Sequence, residues 1–132
     1  MGNEKILVVD DDVVVLESCK RVIESEGYGV ILVPSAKRAL EILEQERFQL
    51  LLIDIKMPER DGMWLIQEIK KRLPEVPIIA MSGFPVAETI ADGLKLGARF
   101  IAKPFTPDEL LDSVREALRK GQGHEGDQSS GH

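Results

Sequence analysis

Five short runs of apolar residues, separated by about two dozen residues, constrain the fold of this chain more than any other feature. The runs begin near residues 5, 30, 50, 76 and 98, and each is continuously apolar rather than alternating. Strands that are covered on both faces have this composition, and each gap is long enough for one helix. The pattern predicts a βα alternation that folds into a parallel, doubly wound sheet.

The segments between the runs carry apolar residues at helical spacing. The stripe of the first gap consists of Val15, Leu16, Cys19, Val22 and Ile23. Helix-start signals agree with this pattern: Thr106 is a predicted N-cap, followed by a proline at the first helical position and by Glu109 of a capping box. The sequence therefore predicts one α/β domain over residues 1–120.

Residues 121–132 contain no apolar residue that could anchor them to a core. We interpret them as a flexible tail, either an interdomain linker or residues that were added for expression. His124 and His132, the two histidines of the chain, both lie there. A catalytic histidine is therefore not expected.

Composition excludes several classes of function. The net charge of −6 argues against nonspecific nucleic-acid binding, which needs a clustered basic face. Cys19 is the single cysteine, so an internal disulfide cannot form, and a reducing compartment is indicated. No apolar stretch approaches the ~20 residues that cross a bilayer, and a signal-peptide pattern is missing at the N-terminus. We expect a cytoplasmic protein.

Polar residues stand where four of the predicted strands end. Those that follow the first, third, fourth and fifth runs are, in order, Asp10–Asp12, Asp54, Ser82 and Lys103. Each has an ordinary explanation by itself, such as a helix cap, a turn or a solvated charge. Ligands of open parallel sheets bind at the carboxyl ends of the strands, however, so the joint occurrence predicts one shared pocket.

The charges of this pocket indicate its chemistry. Asp10, Asp11 and Asp54 against Lys103 leave a net charge of about −2, and crowded carboxylates need a counterion to stay ionised. Oxygen ligands favour Mg²⁺, with Mn²⁺ as the alternative, over zinc. An ionised carboxylate beside such an ion can attack a phosphoryl group. We therefore predict Mg²⁺-assisted phosphoryl transfer onto Asp54, with Lys103 and Ser82 contacting the phosphoryl oxygens.

These residues, in this order, resemble the CheY-like receiver domains of bacterial two-component response regulators. The resemblance covers about residues 4–119. It rests on Val8-Val9-Asp10-Asp11, Asp54 with Met57-Pro58, Asp61-Gly62, Ser82 and Lys103-Pro104-Phe105. It implies the flavodoxin-like (βα)5 fold, a five-stranded parallel sheet in order 2-1-3-4-5 with helices on both faces.

The resemblance also implies which residues hold the metal. Asp54 would be the phosphorylation site and would bind Mg²⁺ directly, together with Asp11 and the backbone carbonyl of Lys56. Asp10 would act as a ligand through water. Asp12 adjoins the acidic pair but fits a helix cap better than a ligand.

A second group of residues is implied to bind the phosphate and to transmit the signal. Lys103 resembles the phosphate-binding lysine, whose bond to Pro104 is usually cis in the family. Ser82 takes the position of the switch hydroxyl, and Phe100 that of the rotating aromatic residue. Phe100 lacks a phenolic hydroxyl, so switching at that position would depend on packing alone.

The implied function is a phosphorylation switch. A sensor histidine kinase or a histidine phosphotransfer protein would donate the phosphoryl group to Asp54. The surface of the fourth helix, fifth strand and fifth helix would then bind a protein partner or a fused output domain, and a homodimer is left open. We expect no direct binding of nucleic acid or membrane. The chain would not be an enzyme, apart from catalysing its own phosphorylation and dephosphorylation.

Three alternatives differ in context or class. Within the same family, the chain could be a receiver fragment of a hybrid histidine kinase. A phosphatase that forms an aspartyl phosphate would need a second acid two residues after its nucleophile, where this chain has Lys56. A flavin-binding protein of the same fold is disfavoured, because the acidic residues after the first strand would repel the flavin phosphate.

Overall fold

The computed structural model describes residues 4–56, 62–83 and 87–130, with the side chains of 87–89 and 121–130 excepted. Strands and helices alternate along the chain, as predicted. The elements are β1 (Lys5–Val9), α1 (Val13–Glu24), β2 (Gly29–Val33), α2 (Ala36–Leu43), β3 (Leu50–Asp54), α3 (Gly62–Arg72), β4 (Ile78–Ser82), α4 (Ala87–Lys95), β5 (Arg99–Ala102) and α5 (Pro107–Ser130).

The five strands form one parallel sheet in the order β2-β1-β3-β4-β5, which confirms the predicted topology. The register pairs Val9 with Ile53, at the ends of β1 and β3. It also pairs Ser82 with Ala102, at the ends of β4 and β5. The carboxyl ends of these four strands therefore meet at one edge of the sheet.

Two apolar clusters, one on each face of the sheet, explain why the strands are continuously apolar. Leu7 and Val9 face the cluster formed with α2 and α3, whereas Ile6 and Val8 face the cluster formed with α1 and α5. All four side chains are fully buried. Burying one such side chain stabilises the fold by roughly 1.5–3 kcal/mol. Alternate residues of each strand thus contribute to opposite cores.

Side chains close the N-terminal ends of three helices. Asp12 accepts a hydrogen bond from the Val14 amide at 2.9 Å, so it is the cap of α1. Ser35 caps α2. Thr106 and Glu109 exchange hydrogen bonds of 2.9 and 3.1 Å at the start of α5, which confirms the predicted capping box.

The C-terminal segment differs from its predicted form. The sequence predicts a flexible tail over 121–132, but the backbone of α5 is helical through Ser130. Adding one residue to an existing helix gains one hydrogen bond for each residue that is fixed, so a helix can extend beyond its last core contact. Among the described side chains of α5, the last one in the apolar cluster is Leu118. The role of 121–132 as a linker stays a prediction.

In the described part of the chain, no helix combines the length and apolar character that crossing a membrane would require.

Candidate functional site

Three carboxylates lie together at the carboxyl ends of β1 and β3. Asp10 directly follows β1 and is fully buried, and Asp54 is the last residue of β3 and 4% exposed. Asp11 is exposed beside them. One carboxylate oxygen of each residue lies within 4.8 Å of the others. The structure thus confirms that the acidic residues of two neighbouring strand ends share one location.

Lys103 supplies a positive charge to this cluster. Its Nζ lies 2.8 Å from Oδ2 of Asp10 and 3.5 Å from Oδ2 of Asp54. The Lys103 amide donates a hydrogen bond of 2.8 Å to the carbonyl of Ser82, which fixes the backbone just after β5. The peptide bond between Lys103 and Pro104 is cis. The ammonium group therefore bridges the two buried carboxylates.

Backbone amides fix the remaining oxygens of the buried pair. Oδ1 of Asp10 accepts a hydrogen bond of 2.9 Å from the amide of Asp12. Oδ1 of Asp54 accepts one of 3.1 Å from the amide of Lys56. Each carboxylate is held by an amide at one oxygen and faces Lys103 with the other. This arrangement sets the orientation of both side chains.

The titration behaviour follows from this crowding. Burial raises the pKa of the Asp54 carboxyl above its ordinary value, and the charge of Asp10 raises it further, whereas the Lys56 amide and Lys103 oppose the rise. Burial alone would lower the pKa of the Lys103 ammonium. Its hydrogen bond to Asp10 and the charges of both carboxylates outweigh that effect and raise it. The lysine is therefore held in its protonated form.

The donor set suits a hard cation. Three carboxylates against one ammonium leave a local excess of negative charge, and two of those carboxylates are buried, where an uncompensated charge is costly. All the ligand atoms are oxygens, the atoms that Mg²⁺, Mn²⁺ and Ca²⁺ prefer. The acidic cluster could thus hold such an ion. The role of the Lys56 carbonyl as a further ligand stays a prediction.

Ser82 lies at the same edge of the sheet. It is the last residue of β4, is 4% exposed, and follows Met81, which pairs with Asp54 across the two strands. The predicted switch hydroxyl is therefore on the strand next to the acidic residue of β3. Its role in switching stays a prediction.

Phe100 lies in β5, three residues before Lys103. It is partly buried in β5 and packs against the cluster that α2 and α3 form with the sheet. Its ring lies against α4 at Gly93. The sequence predicts a role for Phe100 but not this contact. The signal was a glycine inside a helical pattern, which often marks a close approach.

Gly62 has a packing role that sequence reasoning did not identify. A Cβ at this position would lie 2.3 Å from the carbonyl oxygen of Asp54 and 2.5 Å from Cα of Ile55. Only glycine lets α3 begin directly against the end of β3. In the sequence, Gly62 belongs to a motif with Asp61. Asp61 and Met57-Pro58 lie outside the described residues.

Comparisons with known proteins identify the family of this chain. The family model described as "Response regulator receiver domain" matches residues 6–115. The probable transcriptional regulator ycf27 of Porphyridium aerugineum is 38% identical over 125 residues, which cover 91% of this chain and 50% of that protein. The transcriptional regulatory protein ZraR of Escherichia coli K12 is 36% identical over 117 residues, 88% of this chain and 26% of that protein. The chain thus spans half or less of the length of these relatives.

A solved structure matches over nearly the whole domain. The CheY-like response regulator receiver domain protein of Methanospirillum hungatei JF-1 superimposes with a TM-score of 0.88 at 35% identity, covering 92% of this chain and 98% of that one. The family match, the relatives and the shared fold all point to the same family. The chain belongs to the family of response regulator receiver domains of two-component systems.

Proposed function

We propose that this receiver domain accepts a phosphoryl group on Asp54 from a phospho-histidine donor, with Mg²⁺ held by Asp10, Asp11 and Asp54. The observation that carries the proposal is the pair of buried carboxylates bridged by Lys103. Burying two like charges lowers the stability of the fold, so such a pair indicates that its charge has a function. The side chain of Asp54 keeps 6% of its surface exposed and adjoins the exposed Asp11, which leaves a side for the donor to approach.

The acceptor needs no general base. An Asp54 carboxylate oxygen would attack the phosphorus, and the bond from phosphorus to the imidazole nitrogen of the donor would break, with that nitrogen keeping the electron pair. The Lys56 amide holds Oδ1 of Asp54, so the acceptor is oriented before the donor arrives. The Lys103 ammonium would then contact the phosphoryl oxygens. When bound, the cation supplies positive charge that offsets the charge on those oxygens.

The metal-binding residues divide by position. The exposed Asp11 and the acceptor Asp54 would bind the ion directly, together with the Lys56 carbonyl. Asp10 is already held by Lys103 and the Asp12 amide, which fits a ligand that acts through water. We propose Mg²⁺ as the ion, with Mn²⁺ able to replace it.

Phosphorylation would act as a switch through charge and packing. It replaces one negative charge at Asp54 by roughly two and adds strong acceptor oxygens. Ser82 would move toward the phosphoryl group, and Phe100 would occupy the space that it leaves. The surface of α4, β5 and α5 would change its affinity for a partner. The chain would thus catalyse only its own phosphorylation and dephosphorylation.

The partners follow from the same surfaces. We propose a sensor histidine kinase or a histidine phosphotransfer protein as the donor. Its contact would include Val13 and Val14 at the start of α1, which are 66% and 72% exposed next to the acidic residues. The longer relatives are transcriptional regulators, so an output domain fused to the receiver is one context, and a hybrid kinase is another. The output partner would bind through α4, β5 and α5.

Labelling with a small phosphodonor tests the acceptor. Asp54→Asn should abolish the incorporation of phosphate from radiolabelled acetyl phosphate in the presence of Mg²⁺. Asp12→Asn is the matched control, because asparagine is also a good helix cap and Asp12 is not among the proposed ligands. Its labelling should stay within about twofold of the unmodified protein. Undiminished labelling of the Asp54→Asn protein would place the acceptor elsewhere.

A further inference from the structure

A buried glycine in the last turn of α4 contacts the ring of Phe100. A Cβ built on Gly93 would lie 2.5 Å from both Cε2 and Cζ of Phe100, closer than real Cβ atoms approach other heavy atoms. Glycine is also an unfavourable residue inside a helix, so its presence there calls for a packing reason. The reason here is that the tip of the ring occupies the space of the missing methyl group.

The residue paired with Phe100 on the neighbouring strand is also small. Ala80 of β4 pairs with Phe100 across the sheet and is fully buried. Ser82 lies two residues further along β4, so its side chain is on the same face of the sheet as Ala80. The ring tip of Phe100 therefore contacts one small residue, Gly93, and Phe100 pairs with another, Ala80, on the face that carries the predicted switch hydroxyl.

We propose that Gly93 is a positioning residue. Because it has no side chain, it leaves room for the Phe100 ring to pack against α4 in the unphosphorylated domain. Among the described residues, an alanine at this position would conflict only with the tip of the Phe100 ring. Cδ2 of Phe100 would lie 3.8 Å from the new methyl group, an ordinary contact. Because a ring can rotate about its side-chain bonds, the substitution should displace Phe100 and leave the backbone of α4 in place.

The functional consequence of this position rests on the proposed phosphorylation switch. If Phe100 moves when Asp54 is phosphorylated, the space at Gly93 sets the starting point of that movement. A protein with the ring already displaced would show a smaller movement on activation. The contact between the Phe100 ring and Gly93 is a property of the unphosphorylated domain and can be tested without Mg²⁺ or a phosphodonor.

Fluorine NMR of protein labelled with 4-fluorophenylalanine reports directly on the environment of the Phe100 ring. Phe100→Leu identifies the Phe100 signal by its loss. Gly93→Ala should shift that signal in the metal-free, unphosphorylated protein and leave in place the signal of Phe48, which precedes β3. Gly29→Ala is the control, because its Cβ would meet only ordinary contacts, at 3.4 Å or more. A Phe100 signal unchanged by Gly93→Ala overturns the proposal.

Unfolding measurements on the double variant provide a second test. Gly93→Ala should lower the equilibrium constant for folding at least fivefold when Phe100 is present. In the Phe100→Leu background the same change should be neutral or favourable, because leucine ends at its Cδ atoms and alanine is the better helix former. An equal loss in both backgrounds would mean that the ring is not what Gly93 accommodates.

Addition of Mg²⁺ and beryllofluoride, a phosphoryl mimic, separates this inference from the proposed function. The Phe100 signal of the unmodified protein should shift, and the shift should fall by at least half in Gly93→Ala. A Phe100 signal that does not respond in the unmodified protein would contradict the phosphorylation switch. The contact between Phe100 and Gly93 would still be supported by the metal-free spectra. A full response in Gly93→Ala would contradict the positioning role.

Discussion

Lys103 is the residue on which the two buried carboxylates most depend. Asp10 is fully buried, and its Oδ2 faces the Lys103 ammonium at 2.8 Å. Without that ammonium, Asp10 would keep the Asp12 amide as a partner but would lie uncompensated near Asp54. Leaving a buried charged group without its partner costs about 1–3 kcal/mol or more. A bound cation could offset much of this loss.

Lys103→Met should therefore have a cost that depends on the metal. We expect the free energy of unfolding to fall by about 1–3 kcal/mol in EDTA and by clearly less in excess Mg²⁺. Urea unfolding in both buffers measures this difference. Lys70→Met is the control, because Nζ of Lys70 donates to the carbonyls of Pro74 and Val76, outside the acidic cluster. An equal loss in both buffers would make Lys103 a structural residue instead.

Cys19 should make stability depend on pH in the alkaline range. Burial raises the pKa of its thiol from 9.0 to about 12, and the charge of Asp10 adds to the rise. Above pH 9 the unfolded chain releases this proton while the folded protein keeps it, so the folded state loses stability as the pH rises toward 12. By pH 10 the thiol should lower the free energy of unfolding by about 1.4 kcal/mol.

Comparison with Cys19→Ala isolates this effect, since the other titrating groups are common to both proteins. The difference in the free energy of unfolding, measured in urea at pH 8, 9 and 10, should move in favour of the variant by roughly 1.4 kcal/mol. A difference that stays constant over this range would show that the thiol titrates alike in the folded and unfolded states.

Sequence reasoning located the charged residues because each stands at the end of a strand. Asp10, Asp54 and Lys103 follow apolar runs whose ends must meet in a parallel sheet, and the structure places them together. Gly93 could not be found in this way. Its importance depends on one atomic distance to Phe100, and helical periodicity does not reveal which ring faces which turn.

At the scale of single elements, the strands were predicted more accurately than the last helix. A strand covered on both faces requires an uninterrupted apolar run, so its limits are visible in the sequence. The apolar periodicity of α5 ends at Leu118, and nothing in the composition of 121–130 predicts the helical backbone found there. Helix continuation depends on backbone hydrogen bonds, which side-chain patterns do not record.

The first turn of α1 yields a prediction about the donor. Val14 is 72% exposed beside the acidic residues, and an aspartate at the N-terminus of a helix is compatible with the helix dipole. Val14→Asp should therefore keep the fold. It should slow transfer from the cognate phospho-histidine protein about tenfold, a loss of about 1.4 kcal/mol. Labelling by acetyl phosphate should change less than twofold.

Leu94→Asp is the matched control for this variant. Leu94 is another exposed apolar side chain, 60% exposed, and it lies on α4 rather than α1. It should leave both transfer reactions unaffected if the donor binds at α1. Unchanged kinase transfer in Val14→Asp would contradict the docking role of Val14.

The acidic site exists only when the domain is folded. Asp10 and Lys103 are 93 positions apart in sequence, and the order of the strands brings them within 2.8 Å. The unfolded chain has the same acidic residues but does not hold them together. A cation that binds this site should therefore bind the folded state selectively and stabilise it.

We expect Mg²⁺ at about 100 times its dissociation constant to raise the free energy of unfolding by ~2.7 kcal/mol. Urea unfolding in Mg²⁺, compared with NaCl of equal ionic strength plus EDTA, separates this gain from charge screening. Asp11→Asn should remove most of the gain at the same Mg²⁺ concentration, because Asp11 is exposed and its main role would be as a ligand. Asp12→Asn should retain it. An equal gain in Asp11→Asn, or none in the unmodified protein, would contradict a metal site in the acidic cluster.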